Sequence, residues 1–207
     1  DAIINFIALL GWHPEDDNEI LSIDDLIQSF SLDRVQKGGA VFDLNKLNWI
    51  NSQYIRKLPL DDLIKLSNKY LPIHISSPLN KNKNIKIFNL IRDRIKTLSE
   101  LNNEIEIFYN KPQFSNEDIM VLIEKKNLSI FNYWTEYLLT IDTINEDTIS
   151  NLLKQTEEKF EISGKMLFSP IRLALYGNEK GPSIPSICSI LEKEEIIIRL
   201  NNAIMQS

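Results

Sequence analysis

Three arginines stand in settings suited to recognition rather than catalysis. In Arg92-Asp-Arg-Ile-Lys-Thr-Leu98, a helical wheel over residues 85–98 places Ile87, Phe88, Ile91, Ile95 and Leu98 on one apolar stripe. Arg94 falls at one edge of that stripe and Arg92 at the other. An arginine so placed lays its stem along the core and presents a rigid five-donor fork. That fork suits bidentate contact to a base edge or stacking on an unpaired base. An intramolecular pair with a nearby carboxylate is the plain alternative. Arg172, in Phe168-Ser-Pro-Ile-Arg-Leu-Ala-Leu-Tyr-Gly177, is a single charge within an apolar turn just after a proline. A buried or half-buried arginine must be paired or face a ligand.

Catalytic groupings are sparse. His13 and His74 do not stand at metal spacing, and His13-Pro-Glu-Asp-Asp17 lacks the alternating oxygen ligands and central glycine of a calcium loop. A solvated turn is the expectation there. Cys188, flanked by Ile187 and Ile190, reads as a small core residue. There is no glycine-rich phosphate loop and no nucleophile elbow. No catalytic, cofactor or metal residues are therefore expected in this stretch of chain.

Helices must carry these residues. The dominant apolar spacing is three and four, and only six glycines punctuate 207 residues, so the fold class expected is all-α. Ala2–Leu10 ends at Gly11. Ser22 caps a second helix whose Asp24 and Asp25 favour the positive end of the helix dipole. Asp43 caps a third, with Leu44, Leu47, Ile50, Tyr54 and Leu58 at helical spacing. Pro59 and Lys111-Pro112 punctuate the chain, which suggests segments 1–58, 59–110 and 111–207. The second segment is read as a helix over 60–70, a loop over 73–78 with turn chemistry at Ser76-Ser-Pro78, a long helix over about 80–98, and a shorter one at 105–109. In the third, helices are expected near 116–125, 129–140, 144–160 and 166–176, the last broken or kinked at Pro170. A final pair covers 183–203.

Composition narrows the function class. Net charge is −6, which argues against coating nucleic acid by electrostatics alone. Positive charge is instead local. Lys81, Lys83, Lys86, Arg92, Arg94 and Lys96 face a single acid, Asp93, between positions 81 and 96. No apolar run approaches a membrane span, and one cysteine excludes an internal disulfide framework. A cytoplasmic setting is expected.

Several blocks resemble one family. Leu9-Leu-Gly-Trp12, the acidic turn after it, and Glu19-Ile-Leu-Ser22 are similar to the segment just after the catalytic domain of bacterial-type glutamyl-tRNA synthetases. The run Asp33-Arg-Val-Gln-Lys-Gly-Gly-Ala-Val-Phe-Asp-Leu-Asn-Lys-Leu-Asn-Trp-Ile-Asn51 is highly specific to that family. Ser169-Pro-Ile-Arg-Leu-Ala-Leu-Tyr-Gly177, Gly181-Pro182 and Leu191-Glu-Lys-Glu194 resemble its last anticodon-binding module. The blocks span the chain in order, although residues 59–165 match only loosely.

The resemblance implies a stem-contact helical domain over 1–58, followed by two anticodon-binding modules over 59–110 and 111–207. It places the reader of the last anticodon base at Arg94, with Arg92 beside it, and a second recognition arginine at Arg172. A third family arginine falls on Lys154, which keeps the charge and loses the planar fork. The loop around Gly181 and Ile184 is implied to approach the first anticodon base; at Gly181 any polar contact must come from backbone. Tyr133, Trp134 and Tyr176 read as core or as stacking platforms, with core preferred for Trp134. The implied partner is tRNA-Glu, bound by a monomer without a membrane. ATP, and magnesium with it, belongs to a catalytic domain whose His-containing motif and Lys-Met-Ser-Lys-Ser-like loop do not occur here, so this stretch alone is expected to be inactive. Two rivals stay open: a helical protein-interaction module, and the same part of an enzyme that also charges tRNA-Gln.

Overall fold

The computed structural model describes residues 1–77 and 80–206. Twelve α-helices are present among them, and no strand; one isolated bridge joins Trp12 to Val35. The helices are α1 (Ala2–Gly11), α2 (Ile23–Ser29), α3 (Leu44–Lys57), α4 (Leu60–Ser67), α5 (Ile73–Ser76) and α6 (Lys81–Ile91), then α7 (Leu101–Glu106), α8 (Asn116–Leu122), α9 (Lys125–Leu139), α10 (Glu146–Phe160), α11 (Lys165–Tyr176) and α12 (Ile184–Ile204). Pro78 of the expected turn lies outside the described residues. The chain divides into two compact units: residues 1–81 with 91–102, and residues 82–90 with 103–207.

In the first unit, α1 packs on α3 through Ala2, Phe6 and Ile50, with Leu47 and Tyr54 at the margin. A second small cluster gathers Trp12, Leu21 and Leu26. Buried Asn5 ties the two: its Oδ1 accepts the Leu21 N–H at 3.0 Å, while the Tyr54 hydroxyl donates to the Leu21 carbonyl. Local signals set the helix starts as expected. Ser22 and Asp25 form a reciprocal capping box, and Asp43 accepts from the amides of Asn45 and Lys46.

Two readings need correction here. The long helix expected to about residue 98 stops at Ile91, and Arg92–Arg94 form a turn closed by Arg94 N–H to the Ile91 carbonyl at 2.8 Å. Carbonyls that would have continued the helix are taken by side chains of α3: Asp93 O by Arg56 at 2.8 Å and Lys96 O by Asn51 at 2.6 Å. The loop expected over 73–78 instead contains the one-turn helix α5, started by Pro72 and anchored by the fully buried Ile75.

The second unit is built around α11. It buries residues on every side, among them Leu167, Ile171, Leu173, Ala174 and Leu175, and packs on α8, α9 and α12. The helix runs continuously through Pro170, where a break or kink was expected. The final helical pair is present within α12, because Glu192 at φ 63°, ψ 161° interrupts the helical backbone. Helix α10 ends on Glu161 in the left-handed region, at φ 50°, ψ 51°.

Arg199 sits at 0% exposure in the second unit. Its guanidinium pairs with Glu195 at 2.7 Å and donates to the carbonyls of Leu175 at 2.7 Å and Asn110 at 2.9 Å. Burial lowers its pKa, which Glu195 opposes. Arg199→Ala is expected to reduce unfolding free energy by about 3 kcal/mol, since two carbonyls and a carboxylate lose their donor. Thermal denaturation checks this, and an unshifted melting temperature would count against it. Glu161→Gly, which removes the Cβ strain of the left-handed cap, is expected to stabilise by about 1 kcal/mol in the same assay.

Candidate nucleic-acid interface

The first unit presents a cleft of about 420 Å³ between α3 and the 93–96 turn. Asn45, Trp49, Ser52, Gln53 and Arg56 line one side, and Asp93, Arg94, Ile95 and Lys96 the other. On a wheel of 100° per residue, the five α3 positions share a face about 100° wide. It lies away from Ile50, which is buried on the α1 side. Helix α3 is therefore two-faced: one face makes core, the other lines the cleft.

The turn opposite is pinned. Arg92 turns inward and donates to the carbonyls of Ile55 at 3.3 Å, Leu58 at 2.7 Å and Arg56. These carbonyls lie at the C-terminal end of α3 and its cap Leu58, where backbone donors run out; Ile55 O also accepts from the Leu58 N–H at 3.3 Å. The guanidinium also sits at the negative end of the α3 dipole. Arg56 holds the Asp93 carboxylate at 3.6 Å, and Ile95 is 1% exposed. Arg94, between these anchors, is exposed and lines the cleft. The two arginines at the edges of one predicted stripe thus take different positions: Arg92 braces a helix end, and Arg94 lies exposed along the cleft.

In the second unit, Arg172 is half-buried on α11. Its Nε donates to the Pro182 carbonyl at 3.1 Å and its Nη1 to the Glu179 carbonyl at 2.8 Å, so it shapes the loop over residues 177–183. Gly181 is required by close approach: a Cβ there would lie 2.8 Å from two carbons of the Tyr176 ring and 3.2 Å from Arg172 Cδ. Ile184 is 1% exposed and starts α12 behind the Ser183 cap. Its side chain is part of the core, so any contact to a base at this position would have to come from backbone. Lys154 is exposed on α10.

The aromatic candidates divide the same way. Trp134 is fully buried, its indole N–H on Thr156 Oγ1 at 2.9 Å. Tyr176 is also buried, with its hydroxyl on Glu104 at 2.8 Å. Tyr133 is half-buried, and the Lys159 ammonium lies 3.9 Å from its ring centre. Cys188 is fully buried, and burial pushes its thiol pKa up. The aromatic side chain that does face the cleft is Trp49, 44% exposed. Sequence reading had passed over it as a family marker; its position off the Leu47–Ile50–Tyr54 stripe was the signal.

Residues 62–204, well over half of the chain, match the family model described as "Anticodon binding domain". The chain belongs to that family. Residues 1–49 match a second model, the catalytic domain of class I tRNA synthetases (E and Q). Among curated proteins, the glutamate–tRNA ligase of Carboxydothermus hydrogenoformans is 36% identical over 208 residues, covering 98% of this chain and 43% of that protein. The ligase of Finegoldia magna is 32% identical, covering 99% and 42%. A crystal structure of a glutamate tRNA ligase from Elizabethkingia meningosepticum superposes with a TM-score of 0.85 at 28% identity, covering 99% of this chain and 40% of that one. The chain thus spans about two fifths of the length of these relatives.

Arg92 carries a prediction of its own. Arg92→Ala is expected to cost about 2 kcal/mol in urea denaturation, because charged donors leave three helix-end carbonyls at once. Arg92→Lys should recover only part, lacking a planar fork. A wild-type denaturation midpoint for Arg92→Ala would remove the bracing role.

Proposed function

We propose that this chain is the tRNA-recognition part of a glutamate–tRNA ligase, a monomeric cytoplasmic enzyme that joins glutamate to tRNA-Glu with ATP. In this reading ATP and its magnesium bind the catalytic part of the whole protein, and residues 1–58, 59–110 and 111–207 act as a stem-contact segment and two anticodon modules. The observation that carries the proposal is the exposed, cation-lined cleft holding Arg94, within a chain of the anticodon-binding family. The relatives' length and names support the same reading.

An acidic chain can bind RNA this way because unpaired anticodon bases are read by stacking and edge hydrogen bonds, while a few cations position the backbone. Arg94 supplies the planar fork for the last anticodon base. Lys154 supplies a charge for the backbone. Arg172 and Gly181 act through the shape of the 177–183 loop, whose backbone groups make the contacts there. Among the described residues, no helix is long and apolar enough to cross a membrane.

Anisotropy of a fluorophore-labelled anticodon stem-loop of tRNA-Glu, titrated with the chain, tests the proposal. Arg94→Ala is expected to weaken binding about tenfold and to relax preference at the last anticodon base, in keeping with the worth of one bidentate base contact. Arg94→Lys should keep some affinity but little preference. Unchanged affinity and preference in Arg94→Ala would reject the assignment. A tRNA-Gln stem-loop run in parallel reports whether the site discriminates between the two.

A further inference from the structure

We infer that the cleft between α3 and the 93–96 turn is a single-nucleotide site in which Trp49 stacks on the same unpaired base that Arg94 reads. The inference rests on the proposed function and adds a residue that determines recognition within it.

The exposure of the three tryptophans sets Trp49 apart. Trp12 is 2% exposed and Trp134 is fully buried, whereas Trp49 is 44% exposed. Packing does not account for it, since α3 contacts α1 through Ile50, Leu47 and Tyr54. The largest apolar side chain of α3 is therefore held on its polar face, where an aromatic plane has no core to fill. What surrounds it suits a nucleotide: Arg94 and Lys96 line the same cleft, and the one acid there, Asp93, is engaged by Arg56. Gln53 and Asn45 add amide groups that can donate to and accept from base or ribose edges.

Three further features favour an unpaired base over a peptide or a duplex. An aromatic platform flanked by cations binds single-stranded nucleic acid because every base has a π-face. The volume of about 420 Å³ lies within the range of small-ligand sites, roughly 300–1,000 Å³, and is far smaller than a helical groove. The two walls are also tied in advance, by Arg92 to the α3 carbonyls, Arg56 to Asp93 and Asn51 to Lys96. A pre-organised site loses little freedom when a base enters it.

Fluorescence separates this inference from its parent, because quenching by acrylamide reaches exposed Trp49 far more than the two buried indoles. With the whole chain saturated by the anticodon stem-loop, Trp49 is expected to become at least about twofold less accessible to acrylamide. A stem-loop carrying an abasic site at the last anticodon position should leave it open. Trp49→Ala should weaken stem-loop binding about tenfold by anisotropy, with Trp49→Phe close to wild type, since the ring face is what is used. A circular-dichroism melt verifies that both variants remain folded. If the stem-loop binds while acrylamide access and Trp49→Ala affinity are unchanged, the platform is refuted and the proposed function stands. Failure of the wild-type chain to bind would overturn both.

Discussion

The carbonyls at the end of α3 and the guanidinium of Arg92 form the contact on which the candidate interface depends. A helix end is short of backbone donors for its last carbonyls, and here one side chain 34 to 37 residues downstream donates to three carbonyls at the end of α3. That contact holds the 92–96 turn against α3 and leaves its exposed side to Arg94. The second unit uses the same device. Arg199, wholly buried, joins the end of α11 to Asn110, and Arg172 fastens the 177–183 loop to the body of α11. Arginine serves in each case because a planar fork can reach several carbonyls at once.

This division of labour reconciles an acidic chain with a nucleic-acid family. Strong electrostatic coating would require many phosphate contacts and would depend steeply on salt. A small pre-organised cleft needs fewer charges, provided they converge. In the first unit Arg56, Arg94 and Lys96 line one cleft with Trp49, and the one acid of that lining, Asp93, lies 3.6 Å from Arg56. Binding through splayed bases is the mode that such a site serves.

The all-α class and several helix starts were legible in the sequence, although the helix expected at 105–109 lies at Leu101–Glu106 and that expected from 129 begins at Lys125. Ser22 and Asp43 act in the structure as the caps they were read to be, because capping is decided within four residues; the caps Ser115 and Asn145 emerge from the structure. The stop of α6 at Ile91 was not legible. The apolar stripe continues to Leu98, and Ile95 is buried as that stripe requires, yet the backbone between them is drawn away by Arg56 and Asn51 of α3. Helical periodicity records which residues go inside; it does not record which distant side chain takes a carbonyl.

The candidate site shows the same limit. Arg94, Arg92, Arg172 and Gly181 were singled out by residue type and family resemblance, but their roles part company once the chain is folded. One arginine lies exposed along the cleft, two bind carbonyls, and Gly181 is held by the nearness of the Tyr176 ring. Ile184 is core. By itself the sequence determined helix class, caps, apolar faces and family, since these follow from short-range spacing and motif. Only tertiary structure decided which side chains line an exposed cleft and which brace the backbone, because that depends on hydrogen bonds made across long separations. Trp49 became a candidate only there, when the core formed without it.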